Sequence, residues 1–375
     1  MVYTPKPKIS QTTILFVGFS TYFIATLWPP LILILSIPLS FFIPYAHKVN
    51  ETGLSRRKLW SDFETTADSD IKKLLTPRPW TNLEERYVVN SRGMCQLISI
   101  MTPKDTATRG VVCYLHGYGD NASFLKRFEF QRFVKEGFAV VTIEHEGHGR
   151  SDGLAGHLPN LAAAIKDTGT ILKDITEQRF KELPKFLIGE SMGGAFCYKI
   201  YEMNPSFWSG VVFLAPMCAI KESSMPPKII MSLIRKTVHT FGPNSYITSL
   251  PIIPSKDISH LSYKRPERRE LVSVVPSRFV FKPRLITAQQ LLDLTADIGK
   301  SLEYFDAPFL VIHGKNDEVT CPSISQMLFD KSSSKDKEIK LYDGMMHSLT
   351  AGELDENIDK VFNDTIDWVK KRTQS

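Results

Sequence analysis

The sequence predicts an α/β class fold, a mostly parallel sheet covered by helices on both faces, and three observations carry that reading. From about residue 85 onward, short apolar runs alternate with helical stretches, the rhythm of strand–helix–strand units. Most of the runs are apolar along nearly their whole length, as strands buried on both faces are. Ser191, flanked by glycines, falls where one such run passes directly into a helical stretch. A chain of 375 residues, 43% apolar and 23% charged, has the length and composition for a sizeable core plus an appendage.

In chain order, residues 86–89 and 96–101 read as a hairpin around Asn90-Ser91-Arg92-Gly93, a turn-forming cluster between β-rich runs. Strands follow at residues 110–115, 138–143, 185–188, 210–214, 309–312 and 339–342. Helices are expected at 124–135, 158–179, 195–203 and 354–371. Residues 219–298 break the rhythm: they carry no clear strand, several prolines and an excess of Lys and Arg. They read as a helical cap inserted between two strands, which assigns the core to 83–218 and 299–375.

The first fifty residues are different. No charged residue occurs from Ile9 to Ala46, a run longer than the roughly 20 residues one helix needs to span a bilayer. Pro29-Pro30 interrupts it, and a proline pair kinks or breaks a helix. Residues 1–47 are therefore expected to be a membrane anchor, either a hairpin or one kinked span. Of the two basic flanks, the stronger (Lys48, Arg56, Arg57, Lys58, against Lys6 and Lys8) is expected in the cytosol under either reading, and a hairpin would place both there. Residues 48–82 read as a polar linker with one short helix.

The chemistry centres on Gly189-Glu190-Ser191-Met192-Gly193-Gly194. A strand that turns straight into a helix leaves no room for side chains at the flanks and exposes the serine hydroxyl at the sheet edge. A serine needs a base, and the base an orienting acid. Asp317 follows one later strand and His347 the next, so the order Ser191, Asp317, His347 is that of α/β-hydrolases. Glu318 is the rival acid. The amides of Met192 and Tyr118, the latter in His116-Gly117-Tyr118-Gly119, are the candidate oxyanion donors. His116 is expected to shape that loop. His145, His148 and His157 cluster among glycines, but no ligand spacing such as H-E-x-x-H occurs, and neither metal nor cofactor is expected.

Together with the runs 116–120, 147–153, 189–194, 214–218 and His313-Gly314 with Asp317, the sequence resembles the monoglyceride lipase and lysophospholipase-like hydrolases, most of all the plant-type branch that includes caffeoylshikimate esterase. The resemblance covers roughly residues 83–371. It implies a cap, an acyl tunnel and cofactor-free hydrolysis of monoacylglycerols or lysophospholipids, with Asp120 near the head group. Two positions depart from it. Glu190 precedes the nucleophile where His or Gln is usual, and Phe124 stands where the animal and bacterial lipases place an arginine. A His-x4-Asp acyltransferase signature is absent from the nine histidines.

The expected function is thus a carboxylic-ester hydrolase for single-chain lipids. The alternatives are an esterase for phenolic esters, an acyltransferase, a peptidase, or a non-catalytic membrane or lipid-droplet protein. Serine at position 191 excludes epoxide-hydrolase and dehalogenase chemistry, which needs Asp there. The five cysteines show no paired spacing and read as free thiols. The basic cap, Lys264, Arg265, Arg268 and Arg269 in particular, is expected to meet anionic lipid; no nucleic-acid motif is present. Of the sequons at Asn50, Asn121 and Asn363, a glycan at Asn121 would obstruct the oxyanion loop. That argues for a catalytic domain in the cytosol, and the membrane expected is the endoplasmic reticulum or a lipid droplet.

Overall fold

Eight strands build one sheet: β1 (Thr81–Val89), β2 (Cys95–Pro103), β3 (Gly110–Leu115), β4 (Phe138–Ile143), β5 (Lys185–Glu190), β6 (Gly210–Leu214), β7 (Phe309–Gly314) and β8 (Lys337–Tyr342). Their order is β1-β2-β4-β3-β5-β6-β7-β8. β2 runs antiparallel to both β1 and β4, and the remaining neighbours are parallel. The computed structural model describes residues 53–219, 227–253, 258–276 and 282–373. Two units, 1–49 and 50–375, separate in the chain, and only the second falls within the described residues. The anchor expected at 1–47 lies outside them. Among the described residues no helix is long and apolar enough to cross a membrane.

Continuous apolar runs become strands buried on both faces because each face has its own helical cover. In β3, Val111, Cys113 and Leu115 join the cluster under the helices Leu161–Arg179 and Met192–Met203. Val112 and Tyr114 point the other way, toward the helices Leu125–Lys135 and Asp355–Lys371. This alternation is the period of two that a pleated strand imposes. The β1–β2 turn closes where the Asn90 side chain accepts from the amides of Arg92 and Met94, both at 3.0 Å. Between β6 and β7 the described residues form no strand; their helices are Lys228–Phe241, Ser259–Ser262, Pro266–Ser273, Leu285–Ser301 and the short turn Leu302–Tyr304.

Two expectations are corrected. The described part of the expected linker, residues 53–82, is no free linker. Residues 53–66 and Ser69–Leu75 are helical, β1 already begins at Thr81, and Trp60 is buried in a cluster with Phe124 and Leu125. The Arg56 guanidinium donates to the carbonyls of Gly149 (2.8 Å), Gly153 (2.9 Å) and Ser151 (2.5 Å). Arg57 adds Arg150 O at 2.8 Å and Asp152 at 2.6 Å. Charges that read as linker or membrane flank are thus spent on a loop nearly a hundred residues away.

The basic cap is likewise not a free cationic face. Arg265 pairs with Asp355 at 2.7 Å, and Arg268 with Glu129 at 2.8 Å and Asp355 at 3.2 Å. Lys264 Nζ donates to Gly344 O at 3.0 Å. Three of the four side chains expected to face lipid therefore fasten the cap to the core.

Three buried histidines shape the loop after β3. His116 Nδ1 donates to Gly117 O (2.8 Å) while its Nε2 accepts from the His145 amide (3.2 Å). His145 Nε2 donates to His116 O at 3.1 Å and His148 Nδ1 to Glu146 O at 2.8 Å. The rings pack against one another at a tilt of 53°, His116 lying 4.3 Å from His145 and 5.4 Å from His148 between centroids. Burial holds all three neutral, lowering His116 to about 4, His148 to about 3, and His145 well below its ordinary value.

Two predictions follow from this scaffold. Replacing Arg56 by Met leaves three carbonyls without their donor and lowers unfolding stability by about 3 kcal/mol, read by urea unfolding; Lys, lacking the fork, restores only part. Because the folded imidazoles titrate below the unfolded value of about 6.5, the unfolded chain binds more protons. Their stabilisation is full above that pH and falls as pH drops toward 4 and below. Unfolding curves across that window should show this slope, shallower in a His148→Asn variant; an identical slope in the variant would contradict it.

Candidate active site

Parallel strands deliver their carboxyl ends to one edge of the sheet, so residues just after β3, β5, β7 and β8 converge there. At the end of β5 the chain turns into a helix with no spacer residue but Ser191, which adopts φ 56°, ψ −119°. A side chain at positive φ is strained by about 1–3 kcal/mol, and the surroundings hold it. Ser191 N donates to Leu214 O (3.0 Å), while Ser191 O accepts from the amides of Gly194 (2.9 Å) and Met217 (3.0 Å). Gly193 is obligatory here, because a Cβ on it would lie 2.0 Å from Leu115 O. The loop after β3 closes on the same point: a Cβ on Gly117 would lie 3.2 Å from Ser191 Cβ. Tyr118 and Met192, the candidate oxyanion donors, belong to that loop and to the first turn of the helix after Ser191. The Tyr118 hydroxyl donates to Gly156 O at 2.9 Å.

Asp317 and His347 meet. His347 Nδ1 donates to Asp317 Oδ2 at 2.7 Å, which leaves Nε2 as the basic nitrogen. Asp317 is buried whereas Glu318 is exposed, which separates the acid from its rival. The other carboxylate oxygen accepts from the amides of Val319 (2.7 Å) and Thr320 (2.9 Å). Burial works to raise the Asp317 pKa, but the hydrogen bonds of His313 and His347 outweigh it and hold the group well below the usual carboxylate range.

Two partners of Asp317 were not assigned from sequence. His313 Nε2 donates to Asp317 Oδ2 at 3.0 Å while its Nδ1 accepts from Ser325 at 2.7 Å. The Thr320 hydroxyl lies 2.9 Å from Asp317 Oδ2, 3.1 Å from His347 Nδ1 and 3.0 Å from Ala215 O. His313 was visible as part of a motif; Thr320 carried no signal beyond its closeness to Asp317.

Asp120 sits beside the oxyanion loop, half-buried, with Oδ1 accepting from the Asn121 amide at 2.8 Å and Oδ2 3.6 Å from Lys126 Nζ. Phe124 is buried and packs edge-on to Phe63 at 6.1 Å. Glu190 turns away from solvent into contacts with Tyr114, Lys126 and Thr350. His157 is buried and lowered to about 4.

The sequence model described as serine aminopeptidase, S33 matches residues 106–355. Caffeoylshikimate esterase of Arabidopsis thaliana is 32% identical over 72% of this chain and 81% of its own length. Monoglyceride lipase of Mus musculus is 26% identical over 76% and 90%. The crystal structure of a soluble variant of monoglyceride lipase from Saccharomyces cerevisiae superposes with a TM-score of 0.67 at 21% identity, covering 80% of this chain and 100% of that one. The chain is therefore a serine hydrolase of the α/β-hydrolase fold and belongs to the serine aminopeptidase S33 family.

Proposed function

We propose that this enzyme hydrolyses the carboxylic ester of a single-chain lipid, a monoacylglycerol or lysophospholipid, with Ser191, His347 and Asp317 as its triad. The observation that carries the reading is the 2.7 Å bond from His347 Nδ1 to a buried, ionised Asp317, at the sheet edge where the strained Ser191 stands. Ser191 Oγ attacks the ester carbonyl while its proton passes to His347 Nε2. The amides of Tyr118 and Met192 take the oxyanion. His347 then returns the proton to the departing alcohol, water attacks the acyl-enzyme, and the fatty acid leaves.

Several relatives support a lipid substrate, being named monoacylglycerol or monoglyceride lipases. The uncharged run at residues 9–46 supports work at a membrane. The buried Asn121 in a sequon supports a cytosolic catalytic domain, since a glycan attached during synthesis would block its packing. A phenolic ester is the second reading. It is favoured by the 32% identity to caffeoylshikimate esterase and by Phe124 in place of a polar residue.

Replacing Ser191 by Ala should abolish ester hydrolysis and labelling by a fluorophosphonate probe; a fully active variant would sink the assignment. Side-by-side kcat/KM for a monoacylglycerol and a caffeoyl ester decides the substrate class, the lipid being preferred at least tenfold if the first reading holds.

A further inference from the structure

Beneath the proposed triad, a ring of side chains joins three segments that carry the chemistry. Lys126 Nζ donates to Glu190 Oε2 and, at 2.7 Å, to Thr350 Oγ1. Thr350 Oγ1 donates back to Glu190 Oε2 at 2.9 Å, and the Tyr114 hydroxyl donates to the same oxygen at 3.0 Å. Asp120 completes the charge pattern 3.6 Å from Lys126 Nζ. Lys126 and Glu190 are almost wholly removed from water, their side chains 3% and 5% exposed.

Each member is placed next to a different part of the machinery. Glu190 is bonded directly to Ser191. Thr350 lies three residues after His347 in a tightly turned loop, where Leu349 N donates to His347 O at 3.0 Å and Gly352 N to Ser348 O at 2.8 Å. Lys126 opens the helix that follows the oxyanion loop. Burial works to raise the Glu190 pKa, but the charge of Lys126 outweighs it and holds the carboxylate ionised. Lys126 is held charged by the same pair.

Stability is a poor explanation for such a pair. Taking two charges out of water is costly, and apolar residues of similar size often serve a fold as well or better. What an ion pair with directed hydrogen bonds supplies, and apolar contact does not, is a fixed register between the segments it joins.

We propose that Lys126, Glu190 and Thr350 are positioning residues, a three-membered gauge that sets the His347 loop and the oxyanion loop against Ser191. The inference rests on the triad proposed above. It predicts that the gauge acts on turnover rather than on substrate binding, because a small misplacement of reacting groups costs up to about 100-fold in rate.

The test uses the full-length enzyme and a short p-nitrophenyl ester, with thermal unfolding measured in parallel. Thr350→Val keeps the ion pair but cuts its link to the histidine loop. It should lower kcat about tenfold or more, leave KM within about twofold, and slow fluorophosphonate labelling in proportion. Lys126→Met and Glu190→Leu should each lower Tm by stranding a buried charge, and the double variant should regain most of that Tm while kcat stays low. Recovery of kcat together with Tm in the double variant, or a Thr350→Val enzyme with unchanged kcat, overturns the proposal. If Ser191→Ala also abolishes turnover in that case, only the gauge falls; an active Ser191→Ala enzyme overturns both.

Discussion

Everything at this site depends on a strand entering a helix with a single residue between them. That junction forces Ser191 to φ 56° and brings the backbone of Gly193 against Leu115. It also aims the helix N-terminus, with its unpaired amides and partial positive charge, at the position where a carbonyl oxygen becomes an oxyanion. Strain of this size persists only when neighbours over-determine it. Here they are β6 through Leu214 and the segment after it through Met217, so the sheet itself holds the serine in place.

The histidine loop is held differently. It leaves β8 and is fastened from three sides rather than by regular structure. Asp317 grips the ring, while Thr350 reaches the ion pair below. From the cap, Ser262 O accepts from the Ser348 amide (2.9 Å), and the amides of Lys264 (2.9 Å) and Arg265 (3.1 Å) both donate to Gly352 O. Cap and catalytic loop therefore share backbone hydrogen bonds, and a displacement of the segment 262–265 is a displacement of the loop. Regular strands confer precision through many repeated contacts; this loop obtains it from a few directional ones.

Much of the fold was legible because its signal is periodic and local. Runs such as 110–115 and 138–143 are apolar at nearly every position, Thr142 excepted, the pattern of a strand covered on both faces. The order of Ser191, Asp317 and His347, and their places after successive strands, were legible for the same reason: each follows a recognisable strand end. What escaped the sequence was pairing at a distance. Glu190 was noticed as unusual, yet its partner Lys126 lies 64 positions away in an ordinary-looking helix start. Arg265 and Arg268 looked like a surface for anionic lipid because their carboxylates, Asp355 and Glu129, stand 90 and 139 positions away. Charge can be counted along a chain, but whether it is neutralised is a property of the fold. Arg56 was misjudged for a related reason, and Trp60 carried no signal. A short polar stretch gives no periodic sign that one arginine and one tryptophan in it are buried.

The helix at 53–66 has a mechanical consequence. Its arginine fork grips consecutive turns of the loop 149–153 through main-chain carbonyls, and that loop is in turn seated on β2, where Leu97 N donates to Ser151 Oγ at 3.0 Å and Cys95 N to Asp152 at 2.8 Å. A pull transmitted along the chain from before residue 53 is borne first by this latch and passed into the antiparallel side of the sheet. β5, β7 and β8, whose ends carry Ser191, Asp317 and His347, lie on the far side of β3 and β4. The arrangement resembles a strain relief, in the sense that a cable clamp protects a soldered joint: load arriving from the amino terminus meets the antiparallel side of the sheet and not the strands that end in Ser191, Asp317 and His347.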